Sequence, residues 1–339
     1  MKELQEFSRS LHTRYRYHKI RQPRVWQEYD TLNGKKTQAL TIIIQTMGCR
    51  WAHHSGCTMC GYFRDSLPEG IDEAQLIVQV DKALERYAGE SIIKIFTSGS
   101  FLDSKEISFH TQKKILKEAS KRPQVKKISI ESRPEYVTDK IEELAQMIRP
   151  VSLEVSIGLE SANDRVLEKA INKGFLFNDW LKAARCIRRH NIDLKTYLLI
   201  KPPFLTERES IEDCIRSAGK ILDFSTTVSF NPVNIHSYTL LEWLWNRDEY
   251  RPPWLWSIMS ILKEVHHLDG KTHIQCDIIA GGQKRGAHNC GKCDKKILEN
   301  INNFSLSQNE KFLMDVDCDC KKKWEGLLEV EGFTKGFYF

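Results

Sequence analysis

Residues 39–60 read ALTIIIQTMGCRWAHHSGCTMC. The first nine are mostly apolar and rich in β-branched residues, the pattern of a buried strand. The chain then delivers Cys49, Cys57 and Cys60 in a C-x7-C-x2-C arrangement. Thiolates suit iron–sulfur clusters and zinc, and a C-x2-C pair brings two sulfurs to one centre from a tight turn. A structural zinc ordinarily takes four ligands. Only three cysteines gather here, and His53 and His54 lie inside the wide gap. Three thiolates after a strand point to a 4Fe–4S cluster with one iron left open.

Outward from this stretch, apolar β-rich runs alternate with helical patterns. Strands are expected at 39–47, 92–98, 127–131, 152–159, 194–200 and 226–235. Helices are expected at 71–87, 104–121, 138–149, 178–190 and 207–222. Several strand runs read as continuously apolar, as when both faces of a parallel strand are covered. Such alternation implies a parallel sheet with right-handed crossovers. Six units are too few for a full eight-stranded barrel, so the fold class expected is α/β, a partial (β/α)6 barrel. Ligands then belong at the C-terminal ends of the strands.

Composition agrees with a folded, water-soluble protein. Of 339 residues 41% are hydrophobic, 10% aromatic and 28% charged, which excludes intrinsic disorder and collagen-like repeats. No apolar run approaches the roughly 20 residues that span a bilayer, and the N-terminus lacks a signal-peptide core. No membrane partner is expected, and the location expected is cytoplasmic. Ten cysteines in a reducing compartment favour metal or cluster ligation over disulfides.

Three regions are expected. Residues 1–36 read as an irregular basic arm, with nine lysines and arginines against four acids, or +5 of the net +6. Within it, HTRYRYHKIR (12–21) interleaves cations with aromatics. Arg14 and Arg16 could neutralise phosphates while the rings stack on unpaired bases, so an RNA partner is one reading and a solvated basic strip the other. Residues 37–246 form the barrel. Residues 247–339 form a small helical module with helices near 252–268 and 295–304. There Cys290-x2-Cys293 and Cys318-x-Cys320 supply two close thiol pairs, which match a tetrahedral structural zinc; a second iron–sulfur cluster is the competing reading. Cys186 and Cys214 read as small apolar core residues, and Cys276 has no assigned chemistry.

Further motifs end successive strands: TSGSFLD (97–103), ESRPEY (131–136), SIGLES (156–161) and INKGF (171–175), then LLIKPPFLTE (198–207) and NPVNIH (231–236). With the cysteine loop, they resemble the radical S-adenosylmethionine (SAM) superfamily, its Elongator-like branch, and most fully the radical SAM subunits of archaeosine synthases. The first cysteine gap, seven residues, is wider than the usual three, and Met59 stands where an aromatic is commoner. The resemblance implies a radical-SAM-type partial barrel in which Cys49, Cys57 and Cys60 hold the 4Fe–4S cluster. It implies that Ser98, Gly99, Ser100, Glu131, Arg133, Ile157, Gly158 and Glu160 line the SAM site. It further implies a tRNA substrate whose cyano-deazaguanine base has received lysine from a lysine-transferring archaeosine synthase subunit. The protein, fed by an electron donor, would then act as a lyase that cleaves the carbon–nitrogen bond of the lysine side group and leaves the formamidine of archaeosine. Lys201, Asn231, Asn234 and His236 are candidates to grip the lysine. The runner-up is another radical SAM tRNA-modifying enzyme. The alternative from a different class is a non-catalytic, zinc-stabilised RNA-binding protein.

Overall fold

A computed structural model describes residues 2–12, 22–334 and 336–337. Its centre is one eight-stranded sheet in sequential order, β1 to β8. β1 (Arg24–Leu32) and β2 (Lys35–Ile44) form an antiparallel hairpin. Its two-residue turn is Asn33-Gly34, both with positive φ (52° and 71°), as the right-handed twist of a tight hairpin requires. All later neighbours pair in parallel: β3 (Ile92–Thr97), β4 (Lys127–Glu131), β5 (Ser152–Glu160), β6 (Asp193–Ile200), β7 (Thr227–Pro232) and β8 (His273–Cys276).

The six expected strands are all present, joined by helices such as Glu73–Leu84, Phe109–Ser120, Lys140–Met147, Phe177–Arg189 and Glu207–Ile221. Two features depart from expectation. The first 36 residues are not uniformly irregular, since they contain the helix Lys2–His12 and β1. β8 comes from the C-terminal third and extends the sheet, giving seven parallel strands rather than six.

The two faces of the sheet differ sharply. One carries Leu40, Ile42, Ile93, Ile95, Ile128, Ile130, Val155, Ile157, Val228 and Phe230, all at 0–1% exposure in the hydrophobic core. The other carries Thr41, Lys94, Ser129, Glu154, Ser156, Lys195, Ser229 and Gln275, polar groups that are nonetheless buried. Strands such as KISIE and SLEVSIGLE therefore alternate with period two, and the expectation of continuous apolar runs does not hold. The sheet curls into a half-barrel, so the polar face lines a cup.

The floor of the cup is closed by ion pairs. Lys94 holds Glu28 and Asp30, each at 2.6 Å. Lys127 holds Glu154 at 3.3 Å and Asp193 at 2.8 Å. The edge strands approach each other there, with Thr31 Oγ1 and His273 Nε2 3.2 Å apart. Burial lowers His273 to about 4, so its ring is neutral at physiological pH. The mouth lies at the opposite end, where the strands' C-termini and the cysteine loop meet. Helices Leu255–Asp269, Asp294–Ser307 and Cys320–Glu331 complete the C-terminal region. No helix among the described residues is long and apolar enough to cross a membrane.

Candidate active site and metal centre

The three-cysteine loop leaves β2 and is fixed from several sides. Cys49 begins the helix Arg50–His54 and donates its N–H to the Ser98 carbonyl at 3.2 Å, joining the loop to the turn after β3. Thr58 donates its N–H to Ile171 O (2.9 Å) and its hydroxyl to Ala170 O (2.7 Å). Trp51 Nε1 donates to Asn172 O at 2.7 Å, and Arg50 clasps Asp103 through Nε (2.6 Å) and Nη2 (3.2 Å). Gly61 donates its N–H to His236 Nδ1 at 2.9 Å, and a β-carbon at Gly61 would stand 2.5 Å from that of His236. Burial and then Arg64 lower His236 to about 4, leaving Nδ1 free to accept. His236 is thus engaged by the loop itself.

Cys57 is buried and Cys49 and Cys60 partly so. Burial raises the Cys57 thiol, opposed by the charges of Lys173 and Arg133. Burial pushes Cys60 up to about 12, assisted by Cys57. The surroundings of Cys57 and Cys60 are a poor resting place for bare thiolates, and the three sulfurs beside two cations fit thiolates bound to iron. Arg133 stays charged despite burial because Cys49, Glu135 and Cys57 favour its cation. Lys173 does so through Glu160, 2.7 Å away, and Cys57.

The turn after β3 reveals a residue missed in the sequence. Buried Glu106 accepts from Ser100 N–H (2.7 Å), from Thr97 Oγ1 (2.9 Å) and from Thr46 Oγ1. A side chain on Gly99 would overlap this carboxylate, which is why the turn carries glycine. Burial pushes Glu106 up to about 7. A buried carboxylate of raised pKa favours the folded state when protonated, so its contribution fades as pH rises from about 4.5 through about 7. Glu106→Gln is expected to flatten that part of the stability profile, read by thermal melts. Glu106→Ala should loosen the turn and cost about 1–3 kcal/mol in denaturant unfolding, because the buried Ser100 N–H loses its acceptor.

Glu131 ends β4, and burial raises it to about 7 against a hydrogen bond from Tyr197 and the charge of Lys195. Arg133 donates its backbone N–H to Ser100 Oγ at 3.2 Å and pairs through Nε with Glu135 at 2.6 Å. Gly158 lies beside the Glu160–Lys173 pair, where the β5 register shifts and Glu160 takes φ 72°. Ile157 points into the outer core at 0% exposure, so only its backbone faces the rim. The geometry gathers Ser98, Gly99, Ser100, Glu131, Arg133, Gly158 and Glu160 around the cysteine loop.

The remaining candidates disperse. Asn231 is half-buried on the cup face of β7, its Oδ1 3.1 Å from Ser229 Oγ; Asn234 is half-buried in the loop beyond. The Lys201 ammonium is bound 2.7 Å from Glu207, both side chains at 10% exposure or less. Arg14 and Arg16 lie outside the described residues. Lys201→Met would strand the Glu207 carboxylate in the interior and is expected to cost about 3–5 kcal/mol in denaturant unfolding.

In the C-terminal region Cys290, Cys293, Cys318 and Cys320 bring their sulfurs within 4.8 Å of one another. Cys290–Cys293 is 4.0 Å, Cys290–Cys318 3.6 Å and Cys293–Cys320 3.6 Å. A tetrahedron with metal–sulfur bonds of about 2.3 Å has edges of about 3.8 Å, so this group fits one metal ion. Asn289 Nδ2 and Trp256 Nε1 donate to Cys293 and Cys320 sulfurs, each at 3.3 Å, completing an outer shell.

Comparison with known proteins agrees with this architecture. The family model described as "Radical SAM superfamily" matches residues 43–216. The chain is a member of the radical SAM superfamily. Among its relatives is archaeosine synthase subunit beta of Methanosarcina acetivorans, 39% identical over 92% of this chain and 91% of that protein. Archaeosine synthase subunit beta of Thermococcus kodakarensis is 37% identical over 90% of this chain and 96% of that protein. The solved Elp3 of Methanocaldococcus infernus, another protein of similar fold, aligns with TM-score 0.50 at 17% identity, covering 68% of this chain and 59% of that one. As a radical SAM protein, this chain uses a 4Fe–4S cluster and SAM.

Proposed function

We propose that this radical SAM enzyme serves tRNA modification as the lyase of archaeosine biosynthesis. The observation that carries the reading is the near full-length similarity to archaeosine synthase beta subunits, over 92% and 90% of this chain. The substrate is a tRNA whose cyano-deazaguanine has received lysine through its terminal amine. Addition of an amine to a nitrile gives an amidine, and breaking the lysine carbon–nitrogen bond leaves the unsubstituted formamidine.

When bound, the cluster and SAM supply an electron and a carbon radical able to remove a hydrogen atom from the substrate. The protein's own residues do the rest. Cys49, Cys57 and Cys60 hold the cluster, while Lys173 and Arg133 offset its negative charge. The Ser98–Ser100 turn, held by Glu106, and the rim of β4 and β5 hold SAM. Glu131 can keep a proton near neutrality because burial raises it to about 7. The cup keeps bulk water and stray hydrogen donors away from the reacting atoms.

The partners that follow from this reading are tRNA, a lysine-transferring subunit, which the relatives' designation as subunit beta supports, and an electron donor. A zinc ion in the four-thiol site and a cytoplasmic location complete it. The test is substrate dependence: reconstituted protein with SAM and reductant should form deoxyadenosine markedly faster with lysine-bearing tRNA than with cyano-bearing tRNA. Equal rates would count against the reading.

A further inference from the structure

At the mouth of the cup, Asp277 follows β8 in an arrangement the cofactor site does not use. Its Oδ2 accepts from Ser229 Oγ at 3.1 Å and from Gln275 Nε2 at 3.0 Å. Both donors are buried, at 0% and 7% exposure, and belong to the polar face of β7 and β8. The aspartate itself is exposed. One carboxylate oxygen is therefore held by two buried donors, while the other has no partner among the described residues.

The charge of Asp277 is felt by Glu131 and Tyr197 across the cup. Of the cations in the cup, Lys94 is held by Glu28 and Asp30, Lys173 by Glu160, and Lys195, which acts on Glu131, lies 3.9 Å from Glu154. A preset carboxylate in such a field favours a cationic N–H donor.

Resting on the function proposed above, we propose that Asp277 is a specificity-determining residue that binds the amidinium joining lysine to the deazaguanine base. An amidine is protonated in neutral water and offers N–H groups to the open oxygen. The α-amino end of lysine is a weaker match, because its own carboxylate cancels the charge and is repelled by the same field.

Two tRNAs that differ only at this base provide the test: one bears the neutral nitrile and the other the formamidine product. The wild-type enzyme should bind the formamidine tRNA about tenfold or more tightly than the nitrile tRNA, the scale of one charged hydrogen bond. Asp277→Asn should abolish this preference, and Ser229→Ala, which releases one lock, should reduce it. The Ser229 variant guards against misfolding of the first. A preference that survives Asp277→Asn overturns the proposal, as does a wild-type enzyme that converts lysine-bearing tRNA without distinguishing the two probes. If Asp277→Asn weakens only the lysine adduct, the contact is to the α-ammonium and the amidinium assignment fails. A wild-type protein that neither converts the adduct nor distinguishes the probes overturns the underlying function first.

Discussion

With Cys57 replaced by alanine, the protein is expected to fold, to lose nearly all of about four irons per protein molecule, and to form no detectable deoxyadenosine from SAM under reduction. Two thiolates cannot retain a cluster against solvent and chelators where three were needed. Cys57 is the most informative of the three because it alone is buried and feels the charges of both Lys173 and Arg133. The matched control is Cys214→Ala. Cys214 is also buried, but its sulfur contacts the Leu199 carbonyl at 3.6 Å on the outer, helix-covered side of β6. That variant should keep its iron and broad visible absorption. A Cys57→Ala protein with intact iron and SAM cleavage would remove the cluster assignment. Zinc at both cysteine sites would instead favour an RNA-binding protein without catalysis.

The second large effect concerns stability. Cys293→Ser, or chelation of the C-terminal ion, is expected to release one metal per protein molecule and lower the melting temperature by on the order of 10 °C. An ion bound there would hold two segments together, since Cys290 and Cys293 precede the helix Asp294–Ser307 while Cys320 opens the helix Cys320–Glu331. The consequence reaches the barrel through a short series of bonds. Trp324 Nε1 donates to Ser257 Oγ at 2.8 Å, Ser257 donates to Glu207 Oε1 at 2.5 Å, and Glu207 Oε2 pairs with Lys201 at the end of β6. Loss of the ion should therefore loosen the rim of β6 as well as the module. Unchanged melting after complete metal removal would show that the helices hold one another unaided. More than one iron per molecule at this site would contradict the single-ion geometry.

The parallel sheet and the cysteine-bearing loop were legible because their signals are local and repeated. Apolar strands end in short polar motifs, and three thiols sit close in sequence. β1 was missed, although Asn33-Gly34 is a strong hairpin signal, because the strand RVWQEYDTL has no fully buried residue and so lacks a buried apolar face. β8 was missed because HIQC is barely long enough to register as a strand. Glu106 could not be read as the anchor of the turn after β3, since its role exists only when the following loop folds back over Gly99. Asp277 was hidden for a similar reason: its locking partners come from Ser229 on a neighbouring strand and from Gln275. Lys201 looked available at a strand end, and only the fold shows Glu207 beneath it. The polar lining of the cup was present in the alternation of KISIE and SLEVSIGLE, but the neighbouring isoleucines and leucines masked it.

The most direct measurement is mass spectrometry of nucleosides digested from lysine-modified tRNA after anaerobic incubation with reconstituted protein, SAM and reductant. The lysine-bearing nucleoside should disappear as archaeosine appears, with deoxyadenosine formed alongside it. Persistence of the lysine-bearing nucleoside while SAM is actively cleaved would contradict the lyase assignment.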